Sequence, residues 1–331
     1  MDSRRYQLVS LLADGRFHSG EVLARQLGVS RAAVWKIVQR LTQWQLDVYA
    51  VRGRGYRLAT PLELLEGGRI QQALDDEVRR ALRRLDIFVE TPSTNQYLLQ
   101  QPEREQEDFV AVFAEYQSAG RGRRGKSWVS PFGHNLYASL QWRVSHPAAI
   151  AEGLSLALGV GLARLLERAG LAGVQLKWPN DVHVQGRKIA GILLEMSGEG
   201  TGPCRLVIGI GLNLRLGEHQ RRVIGQPCTD LLSELGAAGF SRNWLAGQLI
   251  NEIHRVLVDF ERCGLAAFRQ AWDERDVMRG REVEVMLGGE CIGGVCRGVD
   301  ERGALLVQTP AGMRRFISGE ASLRARAGAV S

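Results

Sequence analysis

The sequence predicts an α+β chain of several domains: an N-terminal winged helix-turn-helix, a mixed α/β central domain, and a small antiparallel β-barrel at the C-terminus. Three observations predict it. First, positive charge gathers at one end: residues 1–60 hold ten Lys/Arg against four Asp/Glu, an excess of six in a chain whose net charge is +7. A basic end on a near-neutral body suits a nucleic-acid-binding module joined to something else. Second, the apolar period changes, from helical in the first sixty residues, to mixed strands and helices from Leu85, to short strands with glycine turns over 280–325. Third, Gln117–Trp128, Q-S-A-G-R-G-R-R-G-K-S-W, crowds Arg121, Arg123, Arg124 and Lys126 among Gly120, Gly122 and Gly125. Like charges so close repel one another unless something anionic sits among them. The expected division is 1–60, a linker helix in 61–84, 85–274 and 275–331.

Residues 3–13 read as a helix with Tyr6, Val9, Leu12 and Ala13 on one side. Ser19 caps a second helix, Gly20 to Leu27, Gly28 stops it, and Ser30 caps a third helix running to about Trp44. Ala24, Gly28, Val34 and Ile37 have helix-turn-helix spacing. Ser30, Arg31, Ala32, Trp35, Lys36, Gln39 and Arg40 are left for the outward face of a recognition helix, although Trp35 is unusual there and could pack inward. Val48 to Leu58 reads as a hairpin whose tip places Arg52 and Arg54 for contact with phosphate or a minor groove. A protein-docking module is the alternative. A connecting helix is expected over Leu62 to Leu74.

In the central region Ile87 to Glu90 reads as a strand, followed by the small hydrogen-bonding residues Ser93, Thr94 and Asn95 before a helix from about Gln96. These three suit a small polar ligand or plain helix capping equally well. Val110 to Tyr116 delivers the arginine loop, and Leu136, Ala138, Leu140 and Trp142 alternate as in a strand. The loop therefore joins strand to strand. That context excludes the dinucleotide fingerprint its glycines spell, which must open a helix. A kinase glycine loop is excluded because no H-R-D or D-F-G follows. Ile150 to Leu166 reads as a buried helix. Val174 to Val182 is a strand broken at Pro179, Gly186 to Glu195 a turn feeding a buried strand, and Leu206 to Asn213 a glycine-punctuated strand. Lys177 and Lys188 sit among apolar strand residues, where lysine needs an anionic partner. Asn180, Asp181 and Asn213 add oxygens suited to a nucleotide or Mg²⁺. With no nucleophile, Ser-His-Asp triad or His/Cys metal cluster in view, the chemistry that fits is phosphoryl or nucleotidyl transfer. Ser241 to Cys263 and Leu265 to Glu274 read as helices.

No uninterrupted apolar run approaches a membrane span, so no membrane partner is expected. The opening M-D-S-R-R-Y lacks the apolar core of a secretory signal. Five scattered cysteines, Cys204, Cys228, Cys263, Cys291 and Cys296, read as reduced thiols in a cytoplasmic protein.

S-T-N, E-Y-Q-S-A-G-R-G-R-R-G-K-S-W, S-P-F-G-H-N-L-Y, K-W-P-N-D and G-R-K-I-A-G-I-L-L-E occur in this order. The chain thereby closely resembles the bacterial biotin–protein ligases, from about Ser19 to Arg324. The winged helix in front resembles that of the subclass that also represses the biotin operon. The resemblance implies a central domain like that of class II aminoacyl-tRNA synthetases and an SH3-like C-terminal barrel. It implies a two-step reaction with ATP and Mg²⁺. Biotin becomes biotinyl-5′-AMP, both intermediate and corepressor, and then passes to a lysine of the biotin carboxyl carrier protein of acetyl-CoA carboxylase. Carried over by motif, Ser93, Thr94, Asn95, Gln117, Arg121, Gly122, Arg123 and Lys188 would surround biotin. Arg121, Trp128, Lys177, Asn180 and Asn213 would face the nucleotide, with Asp181 on the metal. Arg123, Lys188, Lys177 and Asp181 would carry catalysis, Asp181 being offered also as base for the transfer. Biotin operator DNA and a ligand-linked homodimer are the implied partners of the repressor role.

The sequence departs from that family in three places. Leu214 to Leu235 matches poorly and puts Pro227 and Cys228 where an aromatic residue is expected, which bears on adenylate retention and dimerisation. His134 is bulkier than the small residue expected beside Asn135, and Trp35 bears on the operator sequence. In the barrel, Arg314, Arg315 and Glu320 could reach the active site, but solvated strand edges are the favoured reading for most of them. The alternatives are a biotin-sensing regulator that has lost ligation, and a lipoyl- or octanoyl-transferring relative.

Overall fold

The computed structural model describes residues 3–102, 104, 106–144, 153–197, 204–236, 239–317 and 321–325. Ile150, Glu152 and Glu320 lie outside them. Helices α1 (Ser3–Leu12), α2 (Gly20–Leu27) and α3 (Arg31–Arg40) close over Leu8, Leu12, Leu23, Leu27, Val34 and Val38. The Ser19 and Ser30 hydroxyls accept the Val22 and Ala33 N–H groups at 3.2 Å each, satisfying donors that a helix start leaves orphaned. Gly28 ends α2 in the left-handed conformation, φ 62°. The third helix is shorter than its periodicity suggests. The Thr42 hydroxyl donates to the Gln39 carbonyl at 2.9 Å, and the chain tightens into a 3₁₀ turn, Leu41–Trp44. That turn drives Trp44 into the core. Strands β1 (Val48–Val51) and β2 (Gly55–Leu58) make the wing, and His18 pairs with Tyr56 on its other side.

The expected helix over 62–74 does not form as such. Residues 61–66 form no regular element, Glu66 itself being extended, and two short helices follow, α4 (Gly67–Gln72) and α5 (Asp76–Ala81). The cause is tertiary. The Leu65 N–H donates to Glu115 at 2.5 Å and the Glu66 N–H to Asn243 at 2.7 Å, partners that only an extended chain can reach.

The central sheet has seven strands: β3 (Arg84–Phe88), β4 (Phe109–Ala114), β5 (Leu136–Val144), β6 (Val174–Lys177), β7 (Asp181–Val184), β8 (Arg187–Ser197) and β9 (Cys204–Leu212). Their order is β3-β4-β5-β9-β8-β7-β6; β3 and β4 are parallel and the other pairs antiparallel. The two-residue pleat sorts the middle strands. Leu136, Ala138 and Leu140, with Leu206, Ile208, Ile210 and Leu212, join a core shared with helices Leu154–Arg168 and Arg242–Cys263. The intervening Ser139, Gly209, Gly211, Gly191 and Glu195 therefore fall on the opposite face, where β9 pairs Ser139 with Gly209 and Gly211 with Gly191.

The expected helix over 265–274 is a 3₁₀ turn, Gly264–Ala267, followed by the short helix Arg269–Asp273. Beyond it, β10 (Glu282–Leu287), β11 (Glu290–Val299), β12 (Leu305–Thr309), β13 (Gly312–Phe316) and β14 (Ala321–Ala325) form an antiparallel sheet in the order β13-β12-β11-β10-β14. Val283, Val285, Phe316 and Leu323 extend the central core, and the Trp178 indole donates to the Gly303 carbonyl at 3.0 Å.

Candidate active site

A cleft of about 1220 Å³ opens on the polar face of the central sheet. Its floor is flat because two glycines of β9 carry no side chain there. A Cβ on Gly211 would lie 2.2 Å from the Trp128 ring, and one on Gly209 would lie 2.4 Å from Asn95 Oδ1. The V-I-G-I-G-L-N pattern is thus a seat for an indole and an amide. Against it stand Ser93, whose hydroxyl caps α6 (Thr94–Gln100), then Thr94 and Asn95 on that helix's first turn. Gln117 Oε1 accepts the Thr94 N–H at 2.9 Å, and Ser139 Oγ lies 2.6 Å from Thr94 Oγ1 and 2.5 Å from Asn95 Oδ1.

The arginine loop closes on itself as the sequence suggests, without opening an α-helix. The Gly122 N–H donates to the Lys126 carbonyl at 2.6 Å, Arg121 pairs with Ser127, and Arg123–Gly125 is a single 3₁₀ turn. Arg121 reaches Glu195 at 3.2 Å, and Arg123 donates to Asn180 Oδ1 at 3.3 Å. From the other side, the β6–β7 hairpin turns through a cis Trp178–Pro179 bond and sets Lys177 opposite Asp181. Asp181 Oδ1 holds the Lys188 ammonium at 2.6 Å, and that ammonium lies 5.4 Å from the Trp128 ring centroid.

The electrostatics are those of a site short of negative charge. Burial pushes the Lys177 ammonium below its ordinary pKa; Asp181 opposes the shift, while Lys188, Lys126 and Arg324 add to it. Burial also lowers Arg123, again with Asp181 opposing. The buried Trp128 N–H has no hydrogen-bond partner. Among the described residues no group of three or more His, Cys, Asp or Glu could hold a metal ion.

Every residue carried over by motif for biotin, nucleotide or metal lines this one cleft: Ser93, Thr94, Asn95, Gln117, Arg121, Gly122, Arg123, Trp128, Lys177, Asn180, Asp181, Lys188 and Asn213. Two are also tied to the backbone, Asn180 donating to the Ile192 carbonyl at 2.5 Å and Asn213 to the Thr229 carbonyl at 3.2 Å. Sequence reasoning missed Glu195 and Ser139, although both follow from counting by twos along β8 and β5. It also missed Met286, Leu323 and Arg324, which the C-terminal sheet brings to the rim. Arg314 stacks on Phe316 and Arg315 bonds to Asp300, and neither lines the cleft. The poorly matching stretch forms short helices, Glu218–Ile224 and Leu231–Leu235, and lays Val223 to Cys228 along the opening, with Lys188 N–H donating to the Pro227 carbonyl at 3.0 Å.

On the N-terminal module, Arg31, Ala32, Trp35, Lys36, Gln39 and Arg40 are all exposed on α3, and Trp35, 53% exposed, points outward. Ser30 serves as the helix cap. Arg52 is exposed at the wing turn, while the Arg54 guanidinium lies 4.4 Å from the Phe17 ring centroid.

The profile of the Biotin/lipoate A/B protein ligase family matches residues 88–213, that of an HTH domain residues 4–57, and that of the Biotin protein ligase C terminal domain residues 280–324. The Bifunctional ligase/repressor BirA of Salmonella typhimurium is 43% identical over 317 residues, 96% of each chain, and that of Escherichia coli 42% identical over 318 residues, again 96% of each. Among solved structures, a biotin protein ligase from Aquifex aeolicus in complex with biotin and ATP is 28% identical, with a TM-score of 0.61 over 74% of this chain and 100% of that one. Matched across nearly its whole length, arginine loop and winged helix included, the chain belongs to the family of bifunctional biotin ligase/repressors.

Proposed function

We propose that this protein is an ATP-dependent biotin–protein ligase that also binds DNA as a repressor of biotin synthesis genes. One observation carries the reading: Arg121, Arg123, Lys177 and Lys188 converge on a single cleft beside a pocket of hydroxyls and amides. A carboxylate and a triphosphate repel each other, and such cations screen them in place. In the first step a biotin carboxylate oxygen attacks the α-phosphorus, the α–β bridging bond breaks, and pyrophosphate leaves. Arg123 and Lys188 neutralise the charge that gathers on the α-phosphate, with Asp181 and Asn180 holding those two cations in position. Trp128 supplies a face and an unused N–H donor for the nucleotide. In the second step a carrier lysine amine attacks the acyl carbon and AMP departs. Asp181 is the carboxylate closest to hand for the amine's proton. Asp181 would be the one carboxylate to hold a phosphate-associated Mg²⁺, since no group of three or more metal-ligating side chains gathers among the described residues. Bound there, the ion would neutralise phosphate charge.

The same reading assigns the remaining parts. The division 1–60, 61–84, 85–274 and 275–331 separates DNA-binding module, linker, catalytic domain and C-terminal domain. A mostly antiparallel sheet bearing its site on the open face supports a class II synthetase-like centre. The short antiparallel strands at the end support an SH3-like barrel. Arg31, Ala32, Trp35, Lys36 and Gln39, with Ser30 at the helix start, face the major groove, and Arg52 and Arg54 the adjoining backbone or minor groove. Biotinyl-5′-AMP acts as corepressor of a homodimer on the biotin operator, in the cytoplasm.

The test is incubation with ATP, Mg²⁺, labelled biotin and the apo biotin carboxyl carrier protein, repeated with octanoate and lipoate. Label on a carrier lysine with biotin alone is expected. Transfer of lipoate or octanoate instead would overturn the substrate, and no adenylate at all would leave a biotin-sensing regulator. A gel shift on biotin-operon DNA, expected to strengthen with adenylate, tests the second role.

A further inference from the structure

We propose that Glu195 is a positioning residue that fixes the donor–acceptor sense of the pocket around Asn95, making that pocket an acceptor for a ligand N–H such as that of a cyclic urea. The inference rests on the reading of the cleft as a biotin site.

Asn95 is 3% exposed and wedged against Gly209, and its amide could be seated either way round. Glu195 decides between them. Its carboxylate accepts from Asn95 Nδ2 at 2.8 Å, and an ionised carboxylate has no hydrogen to give, so only the NH₂ end can face it. Asn95 Oδ1 must then face Ser139 Oγ, 2.5 Å away. An oxygen pair that close needs a hydrogen between its members, and the amide oxygen has none, so Ser139's single hydroxyl hydrogen is committed there. Ser139 Oγ is also 2.6 Å from Thr94 Oγ1, and that contact takes the Thr94 hydrogen. Thr94 Oγ1 therefore meets Gln117 Oε1, 3.2 Å away, with no hydrogen of its own to offer. Gln117 Oε1 is held as an acceptor by the Thr94 N–H at 2.9 Å. Two lone-pair-bearing oxygens are left side by side, an arrangement that a ligand N–H between them completes.

Glu195 also pairs with Arg121 at 3.2 Å, but those side chains are 26% and 43% exposed, so solvent screens that contact and its contribution is small. The buried Asn95 contact is the one through which Glu195 acts.

The experiment measures the biotin Kd without ATP, and KM for biotin and ATP in adenylate formation, on the full chain carrying Glu195→Leu, Glu195→Gln, or Asn95→Ala with and without Glu195→Leu. Glu195→Leu is expected to raise the biotin Kd and KM at least tenfold, with the ATP KM and melting temperature unchanged. Glu195→Gln, which can still accept from Asn95, is expected to recover most of the loss. In the Asn95→Ala background, Glu195→Leu should add less than twofold. A biotin Kd within twofold of wild type in Glu195→Leu overturns the proposal. So does a further tenfold loss in the Asn95→Ala background, because Glu195 would then act elsewhere, and so does a joint rise of biotin and ATP KM with a lower melting temperature. A wild-type protein that binds no biotin overturns the functional reading itself, a result distinct from all of these.

Discussion

The Lys188 ammonium sits between the Asp181 carboxylate and the Trp128 ring, and the half-buried Arg123 donates to Asn180. Replacing either cation with alanine removes charge stabilisation that grows in the transition state, worth about 2–4 kcal/mol. Lys188→Ala or Arg123→Ala should therefore slow single-turnover adenylate formation by roughly two to three orders of magnitude; near-normal rates would remove them from catalysis. His134 carries a different prediction. Part of its ring meets solvent, but its Nδ1 is buried without a partner, and burial, reinforced by Arg215 and Arg242, lowers its pKa to about 4. The unfolded chain binds this proton more readily than the folded one. The stabilising contribution is therefore complete above about pH 6.5 and is lost as pH falls, by about 2 kcal/mol at pH 5 and about 3 kcal/mol at pH 4. Urea melts at pH 7.5 and pH 5 should show that loss in the wild type and a smaller one in His134→Asn. At this scale the cations and amides were legible, because a buried charge or a crowded arginine loop needs a counter-charge wherever the chain folds. Glu195 was not assigned, because a carboxylate gives no sign in the sequence that its partners are Asn95 and Arg121.

Strand β9 shows what a regular element contributes. Its alternation was readable, with branched apolar residues on one side and glycine on the other, and the structure adds what the glycines admit. Gly211→Ala would drive a methyl group into Trp128, an overpacking cost of about 1–3 kcal/mol. We expect a lower melting temperature and roughly a tenfold rise in the KM for ATP; an unchanged KM would show that Trp128 does not serve the nucleotide. One of the elements misplaced by periodicity has a tertiary cause. The 62–74 helix yields to hydrogen bonds that its backbone donates to Glu115 and Asn243, 50 and 177 residues away in sequence. Local propensity is too weak to oppose such contacts.

At the scale of the whole molecule, the N-terminal module is clamped to the central domain around Trp44. Trp44 stacks on Phe132 with ring centroids 4.3 Å apart, the Arg5 guanidinium lies 4.0 Å from the Trp44 ring centroid, and both residues donate to Glu90. Glu90 lies three residues before Ser93 on one wall of the cleft, and Phe132 four residues after Trp128 on another. Trp44→Ala should cost about 3–5 kcal/mol and give calorimetric traces with a separate, earlier transition for the module. Loosening both walls should also raise the KM for biotin. A single unshifted transition would contradict the clamp. None of this was visible in the sequence, where Trp44 was only the end of a helix, since docking between modules depends on surfaces that neither module specifies alone. The rim residues Met286 and Arg324 were missed for the same reason. With a cation on one face and an aromatic ring on the other, Trp44 is also a built-in optical reporter. The difference in emission between wild type and Trp44→Phe, followed while biotin, ATP or DNA is titrated in, would register any unseating of the module without an attached dye.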